Sequence, residues 1–574
     1  MNVADQIVET LQASGVERIY GVVGDSLNGI TEALRRRGTI DWVHMRHEES
    51  GAFAAGAEAQ LTGRLAVCAG SCGPGNLHLI NGLYDCHRSG APVLAIAAQI
   101  PLAEIGSGYF QETKPERLFA DCSHYCELVS SPEQMPRILE QAIRAAVGKG
   151  GVAVIVIPGN VALLDATERK VPPAASLLPA PPVVVPRDAE TDALAELLNG
   201  SRRITLLCGR GCAHAHSQLL RLAERLKAPI VHALGGKEFV EPDNPFDVGM
   251  TGLIGFASGY RAMLQCDALL MLGTDFPYQQ FYPTEARIAQ VDLKPDHLGR
   301  RCRLDLGLVG DVAATIDALL PKLEVKADRA HLDDSVAHYR RSRADLDELA
   351  TGEPGRKPIH PQFLARTLNE VAADDAIFTA DVGTPTIWAA RYLKMNGRRR
   401  LIGSWVHGSM AGAMTQGIGA QAAFPERQVI SLSGDGGFAM LMGDFLTLNQ
   451  QKLPLKVVIF NNGSLGFVEL EMKSAGLIET GVALDNPDFA AVARAAGVHA
   501  IRVEDPGDLR AAAEDMLAHP GPALLDVVVN RQELSMPPKV TLEQMKGFSL
   551  YALRAIMNGR GTEIVDLARS NLLR

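Results

Sequence analysis

Residues 429–467, VISLSGDGGFAMLMGDFLTLNQQKLPLKVVIFNNGSLGF, decide the fold of this chain. The apolar run VISLS is followed by Gly434-Asp435-Gly436-Gly437, and the apolar run KVVIF is followed by Asn461-Asn462. Both runs are typical of buried parallel strands. Phe438–Gln451 lies between them, carries apolar residues at helical spacing and is long enough for a crossover helix. The stretch is therefore predicted to be one βαβ unit.

The two polar turns of this unit are predicted to share one edge of a sheet, where open α/β sheets bind ligands. Glycines there let backbone N–H groups approach a phosphate, and the oxygens of Asp435 and Asn462 suit Mg²⁺. A GDG tripeptide alone is more typical of a turn with an Asp helix cap. With the paired asparagines after a second strand, however, the pattern resembles the signature of the thiamine diphosphate enzymes.

This resemblance implies a cofactor site in the third part of the chain. The metal ligands would be Asp435, Asn462 and the carbonyl of Ser464. Met410 would wedge between the two rings of thiamine, although a core Met that fills a gap is the alternative. The implied cofactor-binding set here comprises Gly408, Ser409, Met410, Gly434, Asp435, Gly436, Gly437, Asn462, Gly463, Ser464, Leu465 and Gly466.

Composition indicates an ordinary globular protein of about three or four domains, from its 574 residues. The net charge is −10 and no basic tract occurs, so we expect no nucleic-acid partner. The first residues lack the pattern of a signal peptide, and there is no apolar run of about 18 residues. We therefore expect a cytoplasmic protein, and its nine scattered cysteines fit reduced thiols.

The order of apolar runs and helical patterns predicts an α/β fold with three doubly wound domains, mainly parallel sheets and a C-terminal helical tail. The runs include 65–69, 93–98, 152–157, 204–208, 229–231, 268–272 and 288–291. A proline-rich segment, 172–186, and a charged segment, 326–358, are predicted connections. The predicted domains are 1–171, 187–325 and 359–530, followed by the tail 531–574.

Three such domains resemble the pyruvate oxidase and acetolactate synthase group of thiamine diphosphate enzymes. In that group the first domain binds the pyrimidine and the third binds the diphosphate and Mg²⁺. The chemistry needs a carboxylate beside the pyrimidine, and Arg46-His47-Glu48-Glu49 before the small-residue helix 50–59 fits this position, with Glu48 as the carboxylate. Stabilisation of the helix start is the alternative role, and only the resemblance selects Glu48 over Glu49.

The central domain resembles the FAD domains of pyruvate oxidases. Gly209-Arg210-Gly211 lacks the third glycine of a dinucleotide fingerprint, which disfavours an NAD site. For each FAD-like stretch a plain turn is the alternative, but their order along the whole domain favours FAD. The implied FAD set is Gly209, Gly211, Thr251, Gly252, Leu253, Ile254, Gly273, Thr274, Asp275, Phe276, Pro277 and Asp292.

The substrate positions and the tail resemble quinone-linked bacterial pyruvate dehydrogenases. Phe110 and Gln111 would lie near the substrate, Phe467 between thiamine and flavin, and Glu471 near the atoms derived from pyruvate. Core packing is the alternative for the two aromatic residues. Residues 535–574 are expected to form two short helices broken at 559–561, and the last helix has an apolar side that includes Ile564, Val565, Ala568, Leu572 and Leu573. Such a helix can rest on a phospholipid membrane surface or on its own subunit.

The resemblance implies oxidative decarboxylation of pyruvate to acetate and CO₂, with electrons passed through FAD to ubiquinone on the inner face of the cell membrane. A homotetramer that builds its sites from two subunits is the implied assembly. The alternatives are acetolactate synthesis, an oxygen-dependent pyruvate oxidase and a cofactor-binding protein without activity. The presence of Glu48, Asp435 and Asn462 argues against the last of these.

Overall fold

A computed structural model describes residues 1–178, 180–533, 542–558, 560, 564, 565 and 567. Its architecture consists of three six-stranded sheets, in which every strand pair is parallel, with helices between the strands. This confirms the predicted α/β fold with three domains. No helix within the described residues is long and apolar enough to span a membrane.

The first sheet has the strand order β2-β1-β3-β4-β6-β5. Its strands are β1 Arg18–Gly21, β2 Asp41–His44, β3 Ala66–Gly70, β4 Val93–Gln99, β5 Tyr125–Leu128 and β6 Val152–Pro158. The helices of this domain are Val3–Ala13, Asn28–Arg37, Glu48–Thr62, Pro74–Arg88, Pro115–Leu118, Met135–Lys149 and Gly159–Ala162. The helix predicted for residues 50–59 is therefore longer at both ends, and Glu48 lies in its first turn.

The central sheet has the strand order β12-β11-β10-β7-β8-β9. Its strands are β7 Ile204–Cys208, β8 Ile230–His232, β9 Asp247–Met250, β10 Ala268–Leu272, β11 Arg287–Asp292 and β12 Leu306–Val309. The helices are Asp188–Asn199, His216–Leu226, Lys237–Val240, Ala257–Gln265 and Val312–Leu319.

The third sheet has the strand order β14-β13-β15-β16-β18-β17. Its strands are β13 Ile377–Ala380, β14 Arg400–Gly403, β15 Val429–Gly434, β16 Lys456–Asn461, β17 His499–Val503 and β18 Ala523–Val528. The helices are Pro361–Val371, Thr384–Tyr392, Gly412–Ala423, Asp435–Met440, Phe445–Gln450, Gly466–Ser474, Phe489–Ala495 and Pro506–Ala518. β15 and β16 are neighbours, as the opening stretch predicts.

The prediction of one continuous crossover helix over residues 438–451 is wrong. Two short helices, Asp435–Met440 and Phe445–Gln450, are separated by a 3₁₀ turn at Met442–Asp444. The Asp444 carboxylate, at the end of this turn, accepts the N–H of Arg46 at 2.7 Å. The break therefore bonds the third domain to the segment that precedes Glu48.

Both connections contain helices. Residues 172–186 are largely irregular, with one short helix at Ala174–Leu177. The prediction of a plain connection at 326–358 is incomplete, because Ala330–Leu349 forms a 20-residue helix that packs on the helix Ala257–Gln265. In the tail, Leu542–Met557 is one helix, while Ala568, Leu572 and Leu573 of the predicted last helix lie outside the described residues.

The first and third domains share one apolar core. Its centre is the contact between the helices Glu48–Thr62 and Gly412–Ala423. A Cβ at Gly419 would lie 2.0 Å from the carbonyl oxygen of Ala54, so only glycine permits this approach. The two domains that carry the predicted thiamine residues are thus fixed against each other within one chain.

Candidate active site

Asp435 and Asn462, the predicted Mg²⁺ ligands, directly follow β15 and β16. Asp435 is 3% exposed, and its carboxylate accepts the N–H groups of Gly436 at 2.9 Å and Gly463 at 2.7 Å. Asn486 donates to the same carboxylate at 2.8 Å. Burial raises the pKa of Asp435, while these hydrogen bonds lower it. The carboxylate therefore joins the two strand ends. Its bond to the N–H of Gly436 is also the contact expected if Asp435 only stabilised the start of the helix.

The oxygens at this edge fit a hard divalent ion. The Asn462 side-chain oxygen accepts the N–H of Ser464 at 3.0 Å. Ser464 forms an antiparallel bridge with Ala483 through the flanking residues, since Leu465 donates to Val482 and Leu484 donates to Gly463. The Ser464 carbonyl is not used by that bridge. One carboxylate, one amide oxygen and one backbone carbonyl are the ligand types that Mg²⁺ takes beside a diphosphate.

A cavity lies on one side of the turn, and Met410 packs against the other side. A cavity of about 520 Å³ is lined by Asn462, Gly463 and Asn486, among other residues. On the other side, the Met410 methyl group would lie 3.3 Å from a Cβ at Gly436. The predicted wedge residue thus faces the glycine turn, as a residue that contacts a cofactor bound there would.

Asp381 connects the Met410 loop to the glycine turn. Its carboxylate accepts the N–H of Ala413 at 2.9 Å and the N–H of Gly434 at 3.1 Å. Complete burial raises the pKa of Asp381 to about 7, although the backbone hydrogen bonds act in the opposite direction. A Cβ at Gly437 would collide with this carboxylate at 2.2 Å, which explains the second glycine after Asp435.

Glu48 occupies the start of its helix at 7% exposure. Its Oε2 lies 2.9 Å from Nδ1 of His78, and the His78 ring stacks on His47 with ring centroids 4.3 Å apart. A Cβ at Gly75 would lie 3.0 Å from the other carboxylate oxygen. The turn after β3 and the start of the helix Pro74–Arg88 therefore close over Glu48.

The neighbouring Glu49 has a different role. Asn81 donates to Glu49 at 2.7 Å and to the Ser409 hydroxyl at 3.0 Å, and the ring of His407 lies 2.8 Å from the Asn81 oxygen. These bonds connect the first helix turn to the Met410 loop of the third domain. Glu49 is thus a structural link between domains, while the carboxylate of Glu48 remains available at the loop 70–76.

The predicted substrate residues of the first domain lie on a compact exposed loop. Phe110 is 78% exposed, and Gln111 has a φ of +63°, a left-handed conformation that costs energy for a residue with a side chain. The Gln111 side-chain oxygen accepts the Cys72 thiol at 3.3 Å. The Glu112 carboxylate binds the N–H groups of Gly106 and Gly108, which fixes the loop.

The predicted FAD residues line the ends of the central strands. Gly252 has a φ of +102°, and the Thr251 hydroxyl oxygen is buried without a hydrogen-bond partner in the described part of the chain. Leu253 and Ile254 are half-buried in the same loop. This loop thus contains the buried Thr251 hydroxyl and a left-handed glycine turn, which packs against Phe276, with a Cβ at Gly252 placed 3.1 Å from that ring.

The other FAD-like stretches are held within the domain. Gly209, Gly211 and Gly273 pack backbone against backbone, since a Cβ at Gly211 would lie 2.6 Å from Gly273. Asp275 forms ion pairs with Arg300 and Arg301. The remaining members of the predicted set lie nearby: Thr274 and Asp292 are buried, Phe276 belongs to an aromatic cluster with Tyr278, and Pro277 separates these two rings in sequence.

The helix Gly466–Ser474 carries Phe467 and Glu471 from the metal loop toward the central domain. Phe467 is half-buried against the core of the third domain, where Ile254 of the central domain also packs. Glu471 is exposed, and its charge adds to burial in raising the pKa of Tyr278. This helix therefore lies between the predicted thiamine edge and the predicted flavin loop.

Comparison with known proteins agrees with this geometry. Models of the N-terminal TPP binding domain, the central domain and the C-terminal TPP binding domain of thiamine pyrophosphate enzymes match residues 1–118, 191–319 and 381–527. The chain belongs to the thiamine pyrophosphate enzyme family. The three matched regions contain Glu48, the loop 251–254 and the Asp435–Ser464 edge, respectively.

Several relatives cover nearly the whole chain. YdaP of Bacillus subtilis, whose assignment as a thiamine pyrophosphate-containing protein is provisional, is 38% identical over 98% of both chains. Pyruvate oxidase of Lactiplantibacillus plantarum is 31% identical over 91% of this chain and 88% of its own. A probable acetolactate synthase large subunit of Methanocaldococcus jannaschii is 30% identical over 94% of each chain.

Sequence reasoning missed several residues that shape the site. His78 bonds Glu48, and Asn81 bonds Glu49. Because His78 and Asn81 are three residues apart on the helix Pro74–Arg88, they share one face, and this spacing could have indicated a face directed at the helix Glu48–Thr62. Asn486 bonds Asp435 from a loop distant in sequence, and no local pattern signals that contact.

Proposed function

We propose that this thiamine pyrophosphate enzyme oxidises pyruvate with water to acetate and CO₂ and passes the two electrons through FAD to ubiquinone. The observation that carries the proposal is the position of the helix Gly466–Ser474, which directly follows the predicted metal-binding loop and whose Phe467 packs on the same core as Ile254 of the proposed flavin loop. The similarity to a pyruvate oxidase supports the same reaction class.

The chain offers each cofactor a set of residues. Mg²⁺ would be held by Asp435, Asn462 and the Ser464 carbonyl, and FAD by the loop 251–254 and the strand ends near Gly273 and Asp292. When bound, thiamine diphosphate accepts the electrons released by decarboxylation, and FAD carries them onward. Glu48 would hold a proton beside the pyrimidine ring, and Met410 would set the angle between the rings. Phe467 would lie between thiamine and flavin, and Glu471 near the atoms derived from pyruvate.

A second copy of the chain would complete the site. The contacts of Glu48 come from the first domain, and those of Asp435 come from the third. Phe110 projects from a rigid loop with most of its ring exposed. We therefore propose a homo-oligomer, with the family's tetramer as its form, in which the Phe110 loop and Glu48 of one copy face the diphosphate edge of another.

The tail would bring the enzyme to ubiquinone at the inner membrane face. On the helix Leu542–Met557, Leu550, Leu553, Ile556 and Met557 are 40–78% exposed. Tyr551 and Ala555 are buried on the other side, and the Lys473 ammonium lies 5.4 Å from the Tyr551 ring centre. The tail therefore packs on the helix that bears Glu471 and offers an apolar side to a phospholipid surface.

Product analysis tests the reaction. Purified protein is incubated with pyruvate, thiamine diphosphate, Mg²⁺ and FAD, with and without ferricyanide or a quinone. The proposal predicts acetate that depends on the added acceptor. Acetolactate without acceptor would instead indicate a synthase, and peroxide in air would indicate an oxygen-dependent oxidase.

Two variants test the tail. Deletion of residues 559–574, and exchange of the exposed Leu553 and Ile556 for serine, should each reduce activation by phospholipid vesicles more than ferricyanide reduction. Vesicle binding that persists in both variants would contradict a membrane role for the tail.

A further inference from the structure

Arg391 of the third domain bonds two backbone carbonyls of the central domain. Its Nε donates to Ile254 at 3.0 Å, and a terminal nitrogen donates to Gly255 at 3.4 Å. The side chain is 7% exposed, and burial lowers its pKa to about 10, which leaves it charged at neutral pH. A buried guanidinium is thus directed at the end of the loop that carries the proposed flavin residues.

The beginning of that loop is held within the central domain. The N–H of Gly249 donates to Asp247 at 3.0 Å, and the N–H of Thr251 donates to the His232 carbonyl at 3.1 Å. The turn at Gly252 follows. The loop is therefore fixed at its start by its own domain and at its end by Arg391.

Arg391 belongs to a helix whose other end lies at the thiamine diphosphate turn. The helix Thr384–Tyr392 has nine residues, which corresponds to a length of about 13 Å. At its start, Pro385 lies 3.7 Å from the position of a Cβ on Gly434, and the Thr384 methyl group lies 3.0 Å from that of a Cβ on Gly466. One short helix thus contacts the proposed diphosphate site at one end and the flavin loop at the other.

The Arg391 end of this helix is braced by the connecting helix Ala330–Leu349. Arg343 donates to the Arg391 carbonyl, and its guanidinium lies 5.7 Å from the ring centres of both Phe256 and Tyr392. The Tyr392 hydroxyl donates to Leu346 at 2.9 Å. Because these contacts fix the helix end, the carbonyls that Arg391 binds have little freedom to move.

We infer that Arg391 is a positioning residue that fixes the flavin loop at the distance and angle that electron transfer from the thiamine site requires. This inference rests on the proposed flavin-linked oxidation. The rate of reaction between two bound groups depends on their mutual placement, and misplacement of reacting groups by about 1 Å can cost about 100-fold in rate. Loss of Arg391 should leave decarboxylation unaffected, because the carbonyls of Ile254 and Gly255 that it binds belong to the central domain, whereas Glu48 and the predicted metal ligands lie in the other two domains.

Arg399 provides a matched control. It is also 7% exposed, and it donates to the carbonyls of Asn369, Ala372 and Ala373, all within the third domain. Arg391→Met and Arg399→Met therefore remove the same kind of buried guanidinium, but only the first releases the flavin loop. Arg391→Lys retains the charge and tests partial rescue.

The experiment measures flavin reduction by pyruvate in an anaerobic stopped-flow instrument, with full-length protein loaded with thiamine diphosphate, Mg²⁺ and FAD. Release of CO₂ without acceptor and the thermal midpoint are recorded in parallel. We expect Arg391→Met to slow flavin reduction by at least about 10-fold with CO₂ release unchanged, Arg391→Lys to recover part of the rate, and Arg399→Met to reduce flavin within a few-fold of the wild-type rate.

Flavin reduction at the wild-type rate in Arg391→Met, or equal slowing in Arg399→Met, would overturn the inference about Arg391 and leave the proposed function standing. If Arg391→Met loses its fold, the Lys variant decides, and a wild-type rate there overturns the inference. A wild-type protein that binds no FAD would overturn the proposed function, and this inference with it.

Discussion

Exchange of Glu48 for glutamine separates a role in catalysis from a role in holding the helix. Gln keeps the size of the side chain and a hydrogen-bond acceptor for His78, but it removes the negative charge at the helix start. Loss of the charge–dipole interaction costs about 0.3–1 kcal/mol, and weakening of the bond to His78 costs about 1 kcal/mol. The free energy of unfolding should therefore fall by no more than about 2 kcal/mol.

The effect on turnover should be larger. A side chain that assists a proton transfer contributes about 10²–10⁴ in rate, equivalent to about 3–5 kcal/mol of barrier. Pyruvate-dependent ferricyanide reduction measures that loss, and thermal unfolding and FAD absorbance verify that the variant is folded and loaded with flavin.

Glu49→Gln is the matched control, because Glu49 neighbours Glu48 but bonds Asn81 at 2.7 Å. It should retain turnover within a few-fold of wild type. Wild-type turnover in Glu48→Gln, or an equal loss in both variants, would refute the assignment of Glu48.

Four further substitutions test other contacts. Asp435→Asn should weaken Mg²⁺-dependent binding of thiamine diphosphate by at least about 10-fold in calorimetric titrations, and unchanged affinity would exclude Asp435 as a ligand. Gly419→Ala forces a Cβ to 2.0 Å from the Ala54 oxygen and should cost about 1–3 kcal/mol in chemical denaturation. Gly412→Ala, in the same helix, meets nothing closer than 3.8 Å and should be neutral or stabilising by up to about 1 kcal/mol, so equal effects would contradict the packing argument. Burial raises the pKa of Asp381 from 3.8 to about 7, so the folded protein binds this proton more tightly than the unfolded chain. The stability of wild type relative to Asp381→Asn should therefore fall by about 4 kcal/mol as the pH rises from about 4 to about 7, and a difference independent of pH would contradict this.

The strands β15 and β16 of the third domain could be predicted because their apolar runs are short and are followed by glycine or asparagine. The adjacency of β15 and β16 followed from the crossover length, and it placed Asp435 and Asn462 at one edge. The broken crossover helix could not be predicted, because its cause is a bond from Asp444 to Arg46, nearly four hundred residues earlier in the chain.

Contacts between residues distant in sequence also limited the prediction of the candidate active site. Resemblance alone selected Glu48 over Glu49, and the different contacts of the two side chains could not be predicted from the local sequence. Asn486 and Arg391 act across loops and domains, where sequence periodicity carries no signal. The glycines at 209, 211 and 273 are explained by backbone packing against one another, which a sequence pattern does not distinguish from space for a phosphate.

A crystal structure of the protein with thiamine diphosphate and Mg²⁺ tests the central claim most directly. We expect the ion at about 2.0–2.1 Å from Asp435, Asn462 and the Ser464 carbonyl, with the diphosphate against the glycine turn. We also expect Glu48 of a second copy beside the pyrimidine ring. A diphosphate bound elsewhere, or an Asp435 carboxylate that keeps only its bonds to Gly436, Gly463 and Asn486 at saturating cofactor, would contradict the account.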